Sequence, residues 1–269
     1  MATINHTMKT SLLILLMLGV NVVASADAPP PLVSSNEADT SRIVVDHSLS
    51  ERFLMGKYRA SKHADFVKIS TKYASRAGMY LQRLPYDAFR AMHKDAEGDG
   101  VSLKIISATR GFYHQKSIWE GKWTGKRPVG GIRNIKRTIK DPVARARKIL
   151  EYSSMPGSSR HHWGTDIDLN AFNNKYFASG QGKKTYEWLV RNAPRYGFCQ
   201  PYTAKGSSRP NGYNEEKWHW SFRPLSKHYV EQAQVRLDDT KFTGFRGSNT
   251  ATRIGILKNY VLGINPECR

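Results

Sequence analysis

The chain has 269 residues, a formal net charge of +20, 39% hydrophobic residues and 11% aromatic residues. That hydrophobic content excludes wholesale disorder and is enough for one domain of about 150–200 residues plus extensions. The charge predicts attraction to polyanions, and two cysteines, Cys199 and Cys268, are too few for a cysteine-rich metal site.

Residues 1–26 read as a secretory signal. Lys9 precedes an apolar run over 12–24 that is short for a bilayer span, and Ala24-Ser25-Ala26 is a small-residue cleavage site. An exported protein is therefore expected, periplasmic, extracellular or wall-associated, with no stable membrane span after cleavage. Outside the cytoplasm the available polyanions are cell-wall polymers and lipid head groups, so anionic wall polymers are candidate partners and nucleic acid is not expected. In an oxidising compartment Cys199 and Cys268 are expected to form one disulfide tying down the C-terminal tail.

Residues 27–41 form a Pro- and Ser-rich polar linker, and 42–269 reads as one domain. Residues 42–97 read as helical. Over 85–97 a helix has Pro85 near its start, Phe89, Met92 and Ala96 on one side, and Gly98-Asp99-Gly100 as its stop. Val101, Leu103 and Ile105 alternate as a strand. Residues 122–140 are basic and Gly-rich and read as a long loop. Asp141 caps a helix with Pro142 at its first position, running to about Tyr152.

A short strand is expected over 165–169, and a helix over 184–193 with Trp188 and Leu189 facing inward. Strands follow over 198–202 and 217–222, with Pro210-Asn211-Gly212 as a turn signal between them. Helices over 224–235 and 251–262 close the chain. Strands separated by helices, with hairpin signals late, favour an α+β domain over a doubly wound sheet.

Three segments carry chemistry. In Ser159-Arg160-His161-His162-Trp163-Gly164-Thr165-Asp166-Ile167-Asp168, a turn at Gly164 allows His161 and Asp168 to reach one metal. In Glu216-Lys217-Trp218-His219-Trp220, a strand would turn Trp218 and Trp220 toward a core and His219 toward a site. A histidine packed between two tryptophans is the plainer reading of His219. Glu216 lies an odd number of residues away, so a bend is required for both to reach the metal.

Two histidines and one carboxylate form a three-ligand zinc set with one position open, the catalytic pattern. Such a metal lowers the pKa of bound water to about 7, and Glu216 is the candidate to take its proton. In the third segment Arg110 follows a strand, where a guanidinium could stabilise an oxyanion or grip a substrate carboxylate. The S-x-x-K, G-x-S-x-G, H-E-x-x-H, Walker A and G-x-G-x-x-G patterns do not occur.

The segments S-x-H-x-x-G-x-x-x-D and E-x-W-H, with an upstream S-x-x-R-x-x-x-x-Q, resemble the VanY-type zinc D-alanyl-D-alanine carboxypeptidases, grouped with the VanX dipeptidases, certain phage endolysins and the hedgehog domain. The resemblance covers roughly residues 100–222. It implies a small antiparallel sheet flanked by helices around one zinc ion. It implies ligands at His161, Asp168 and His219, a base at Glu216, Arg110 at the transition state, and substrate contacts at Gln115 and Ser159.

The implied substrate is a peptidoglycan stem peptide that loses its terminal D-Ala, and a monomer is expected. A wall endopeptidase of the same fold, a non-catalytic wall-binding module and a basic nucleic-acid binder are the alternatives. Asp166 departs from the family, which often has a small residue there. It could support a ligand from behind or compete for the metal, and His162 is a second possible competitor.

Overall fold

The computed structural model describes residues 50–269. The signal and linker readings for 1–41, and the start of the domain at 42, lie outside the described residues. In chain order the elements are α1 (Glu51–Leu54), β1 (Phe66–Lys68), β2 (Tyr80–Gln82), α2 (Arg83–Gly98), β3 (Ile105–Ser107), α3 (Phe112–Trp123), α4 (Ile135–Thr138) and α5 (Pro142–Ile149). They continue with β4 (Asp166–Leu169), α6 (Gly180–Asn192), β5 (Phe198–Cys199), β6 (His219–Phe222), α7 (Arg223–Arg236) and α8 (Ala251–Ile254).

Four strands pair in the order β3-β4-β6-β5, every pairing antiparallel. β1 and β2 form a separate antiparallel pair. The α+β architecture expected from the alternation of short strands and helices is present.

Pattern explains most elements. Pro85, Phe89, Met92 and Ala96 are the buried residues of α2, one apolar stripe at helical spacing. The helix stops where Gly100 takes a positive φ of 70°. The indole of Trp188 on α6 donates to Asp99 at 2.6 Å, which ties α6 to the end of α2. Asp141 caps α5 by accepting from the Ala144 N–H at 2.7 Å, with Pro142 in the first turn.

Four expectations are corrected. Among the described residues the helical reading of 42–97 fails between α1 and α2, over 55–82, because positive φ at Gly56 and Gly78 turns the chain and Phe66 pairs with Gln82 instead. The loop expected over 122–140 begins inside α3 and contains α4. The α3 helix is masked in the sequence because its buried side holds Gln115 between Phe112 and Trp119, which interrupts the apolar stripe. The helix expected over 251–262 breaks at Gly255, which takes φ 71°. The strand expected from Val101 enters the ladder only at Ile105, although Val101, Leu103 and Ile105 are all buried.

Ile167 and Leu169 of β4, with Trp220 and Phe222 of β6, point into a core shared with α2 and α6. A second core lies among α1, α3, α5, α7 and α8. The opposite face of β4 and β6 carries Asp166, Asp168, His219 and Ser221, as the two-residue alternation of strands requires.

Cys199 and Cys268 are bonded, at an S–S distance of 2.07 Å, and close a loop of sequence separation 69. Replacing both with serine should lower unfolding stability by about 2–4 kcal/mol. Denaturant unfolding of the double variant against the oxidised parent checks this.

Candidate metal centre

Register sets the geometry. Asp168 of β4 stands opposite His219 of β6, and Asp166 stands opposite Ser221. His161 comes from a short 3-10 turn, Arg160–Trp163, that precedes β4. Gly164 ends that turn with φ 71°, and a Cβ there would fall 2.2 Å from the Phe66 ring. Only glycine fits both the conformation and the space.

His161, Asp168 and His219 each offer one ligand atom, and these atoms lie within 4.8 Å of one another. Hydrogen bonding decides which ring nitrogens they are. His161 Nδ1 lies 2.9 Å from the Ala108 carbonyl, which can only accept, so Nδ1 carries the proton and Nε2 keeps a lone pair. His219 Nε2 lies 2.8 Å from the Asp166 carboxylate, so Nε2 carries a proton and Nδ1 is the nitrogen turned toward the site.

His161 Nε2 is 3.2 Å from Asp168 Oδ2, and His219 Nδ1 is 3.1 Å from Asp168 Oδ1. His161 Nε2 and Asp168 Oδ1 are buried without a hydrogen-bond partner. Two such orphaned acceptors are costly unless a cation satisfies them. The donor set, two imidazole nitrogens and one carboxylate, fits zinc.

Asp166 does not compete for that cation. Its Oδ1 accepts from Thr165 at 2.7 Å and from Ser221 at 2.8 Å. Its Oδ2 accepts from Arg160 at 3.0 Å and from His219 at 2.8 Å. A carboxylate offers about four lone-pair positions, and all are filled. Asp166 therefore stands behind His219 and fixes its orientation. His162 is also spoken for: Nδ1 donates to the Arg110 carbonyl and Nε2 accepts from the Gly157 N–H.

Glu216 joins the site through the bend that the sequence requires. The His219 N–H bonds back to the Glu216 carbonyl at 3.2 Å, and β6 starts only at His219. Glu216 Oε2 then lies 3.4 Å from His219 Nδ1. Arg110, Ser159 and Glu216 line one cavity with His161 and His219. Arg110 Nε and Ser159 Oγ are buried there without partners. Gln115 is off that wall: its amide donates to the Ser154 carbonyl at 2.8 Å and braces the segment leading to Ser159.

Burial and charge set the protonation states. Burial, helped by Arg110, pushes His161 down to about 4, so it is neutral at pH 7. Burial pushes His162 down to about 3. Burial raises Glu216 above the usual carboxylate range, against the pull of His219. Burial opposes ionisation of Asp168, but the His161 and His219 imidazoles outweigh it and hold the carboxyl well below its usual range. In His219, burial is outweighed by Asp166, Asp168 and Glu216, so without a competing cation the ring holds a proton.

Other wall residues escaped the sequence reading. Tyr152, Tyr202, Tyr213, Ser153 and Ser154 face the same cavity, and the Tyr202 ring lies 4.7 Å from the His219 ring. No local spacing marks them, because their proximity is tertiary.

Comparison with known proteins gives the chain a family. Residues 78–225 match the family described as VanY, D-alanyl-D-alanine carboxypeptidase. A D-alanyl-D-alanine carboxypeptidase of Enterococcus faecalis (strain ATCC 700802 / V583) is 29% identical over 148 residues, 55% of this chain and 47% of that protein. The chain thus spans about half the length of that relative.

Among solved structures, the LdcB LD-carboxypeptidase aligns with a TM-score of 0.47 and 23% identity, over 67% of this chain and 76% of that one. VanYB in complex with D-alanine-D-alanine aligns with a TM-score of 0.46 and 20% identity, over 64% of this chain and 86% of that one.

If Asp166 orients His219, Asp166→Asn should weaken zinc binding about 10–100-fold. Competition with a chromophoric chelator measures this, and unchanged affinity would assign Asp166 a purely structural role.

Proposed function

This chain belongs to the VanY family of D-alanyl-D-alanine carboxypeptidases, and on that premise we propose that it is a zinc peptidase releasing the terminal D-Ala of peptidoglycan stem peptides. One observation carries the reading. Two inward imidazole nitrogens and the Asp168 carboxylate converge within 4.8 Å, with the Glu216 carboxylate 3.4 Å from His219 Nδ1.

His161 Nε2, His219 Nδ1 and Asp168 would hold the zinc ion. Bound there, zinc supplies a Lewis acid that polarises a carbonyl and acidifies water. The chain's own groups do the rest. Glu216 has a pKa raised by burial, so it can accept a proton from the attacking water and release it to the departing amine. Arg110 presents an unpartnered Nε–H to the cavity, placed to stabilise negative charge on the reacting oxygen. The bonds that His161 Nδ1 donates to the Ala108 carbonyl and His219 Nε2 to the Asp166 carboxylate orient both rings with their other nitrogens inward.

Export is part of the proposal. It rests on residues 1–26, and the Cys199–Cys268 disulfide supports an oxidising compartment. Contact with anionic wall polymers is a further part. Lys126, Arg127, Arg133, Lys136, Arg137, Lys140 and Arg147 are exposed cations within one short stretch.

Purified protein should release D-alanine from a synthetic stem pentapeptide. A chelator should abolish the release, and added zinc should restore it. Glu216→Gln should lower kcat by roughly 10²–10⁴-fold while zinc content stays at the parental level. Cleavage confined to cross-linked dimers, or a Glu216→Gln rate equal to the parent, would overturn the proposal.

A further inference from the structure

Lys122 closes the last turn of α3 and is half-buried beside the metal cavity. Its ammonium donates to Ser153 Oγ, a neutral partner, and Ser153 lies on the cavity wall with Arg110, His161 and His219. Among the described residues no carboxylate forms an ion pair with Lys122, whereas Lys116 on the same helix and Lys148 on α5 each pair with a glutamate.

Burial and the nearby Arg110 lower the ammonium's pKa, and Glu216 works against them. A third cation lies close by: the Arg127 side chain folds over Gly121, the residue next to Lys122. A half-buried ammonium without a counter-ion is unfavourable by itself. The cavity wall itself carries two unsatisfied donor residues, Arg110 at Nε and Ser159 at Oγ. Arg110 and Ser159 line the cavity and Lys122 stands directly behind its wall residue Ser153, while Glu216 and the metal-binding carboxylate are already committed. An incoming anion would answer them all.

Resting on the peptidase reading above, the geometry points to Lys122 as the anchor for the substrate's terminal carboxylate, a specificity-determining residue that favours cleavage at a free chain end. In a peptide that loses one residue, the carboxylate lies only about 3.6 Å of chain beyond the scissile carbonyl. Its partner must therefore sit at the wall of the metal cavity itself, where Ser153 stands with the Lys122 ammonium bonded to its hydroxyl. An internal peptide bond continues as neutral chain at that point and leaves the ammonium unpaired.

The test uses zinc-loaded Glu216→Gln protein, so that binding is read without turnover. The probes are N-acetyl-D-Ala-D-Ala as the free acid and as its carboxamide, titrated by calorimetry in Lys122, Lys122→Met and Lys122→Arg backgrounds. The acid should bind at least about tenfold tighter than the amide with Lys122, a difference of about 1.4 kcal/mol. Lys122→Met should erase that preference and leave amide affinity unchanged, and Lys122→Arg should keep most of it.

In turnover with intact Glu216, Lys122→Met should raise KM for the pentapeptide with little change in kcat. A merely structural role would weaken both probes equally. Equal preference in the parent and Lys122→Met, or no preference in the parent, overturns the inference even if D-alanine is released. Preference for the acid that is lost in Lys122→Met, without any D-alanine release by the active protein, keeps the carboxylate site and refutes the proposed reaction.

Discussion

The site depends on one buried carboxylate with every acceptor position filled. Asp166 gathers Arg160, Thr165, His219 and Ser221 at hydrogen-bond distance. These come from the 3-10 turn, β4 and β6, so one side chain couples the segments that supply the ligands. Arg160 precedes His161, and its guanidinium also donates to Ser221 at 2.6 Å and stacks over Trp163. Removing one partner of such a buried pair typically costs about 3–5 kcal/mol, because the other charge is left unpaired. The rigidity of the centre follows from that penalty.

The rest of the electrostatics follows from the same packing. Burial keeps His161 neutral, so its lone pair is available at neutral pH. The carboxylates around His219 would instead give it a proton, which a cation must displace. Metal binding and proton release are therefore linked at His219. Glu216 is close enough to feel that exchange and too well buried to ionise as easily as a surface carboxylate. Arg110 adds positive charge to the cavity wall, and Lys122 adds more behind Ser153.

Legibility in the sequence followed the range of the physical signal. His161 and Asp168 sit in one short segment and His219 in an alternating strand, so local spacing made each a candidate, and only the resemblance across three ordered segments joined them into one ligand set. The disulfide was legible in the even cysteine count together with an expectation of export. The α2 stripe and the Asp141 cap were readable for the same local reason. The α3 helix was hidden because its buried side includes Gln115, an amide that satisfies itself on the Ser154 carbonyl. The β1–β2 pair was hidden because three-residue strands carry almost no periodicity. The role of Asp166 needed donors from three segments at once, and Lys122 acquired its setting only when α3 packed against the loop at Ser153. Neither could be read before the fold was known.

Anomalous diffraction from zinc-soaked crystals, collected on both sides of the zinc edge, tests the central claim most directly. The account predicts one zinc per chain, bound through His161 Nε2, His219 Nδ1 and an Asp168 oxygen, with Zn–N distances of about 2.0–2.1 Å and Asp166 still on His219 Nε2. Zinc bound through His219 Nε2, through Asp166 or through His162 would contradict it.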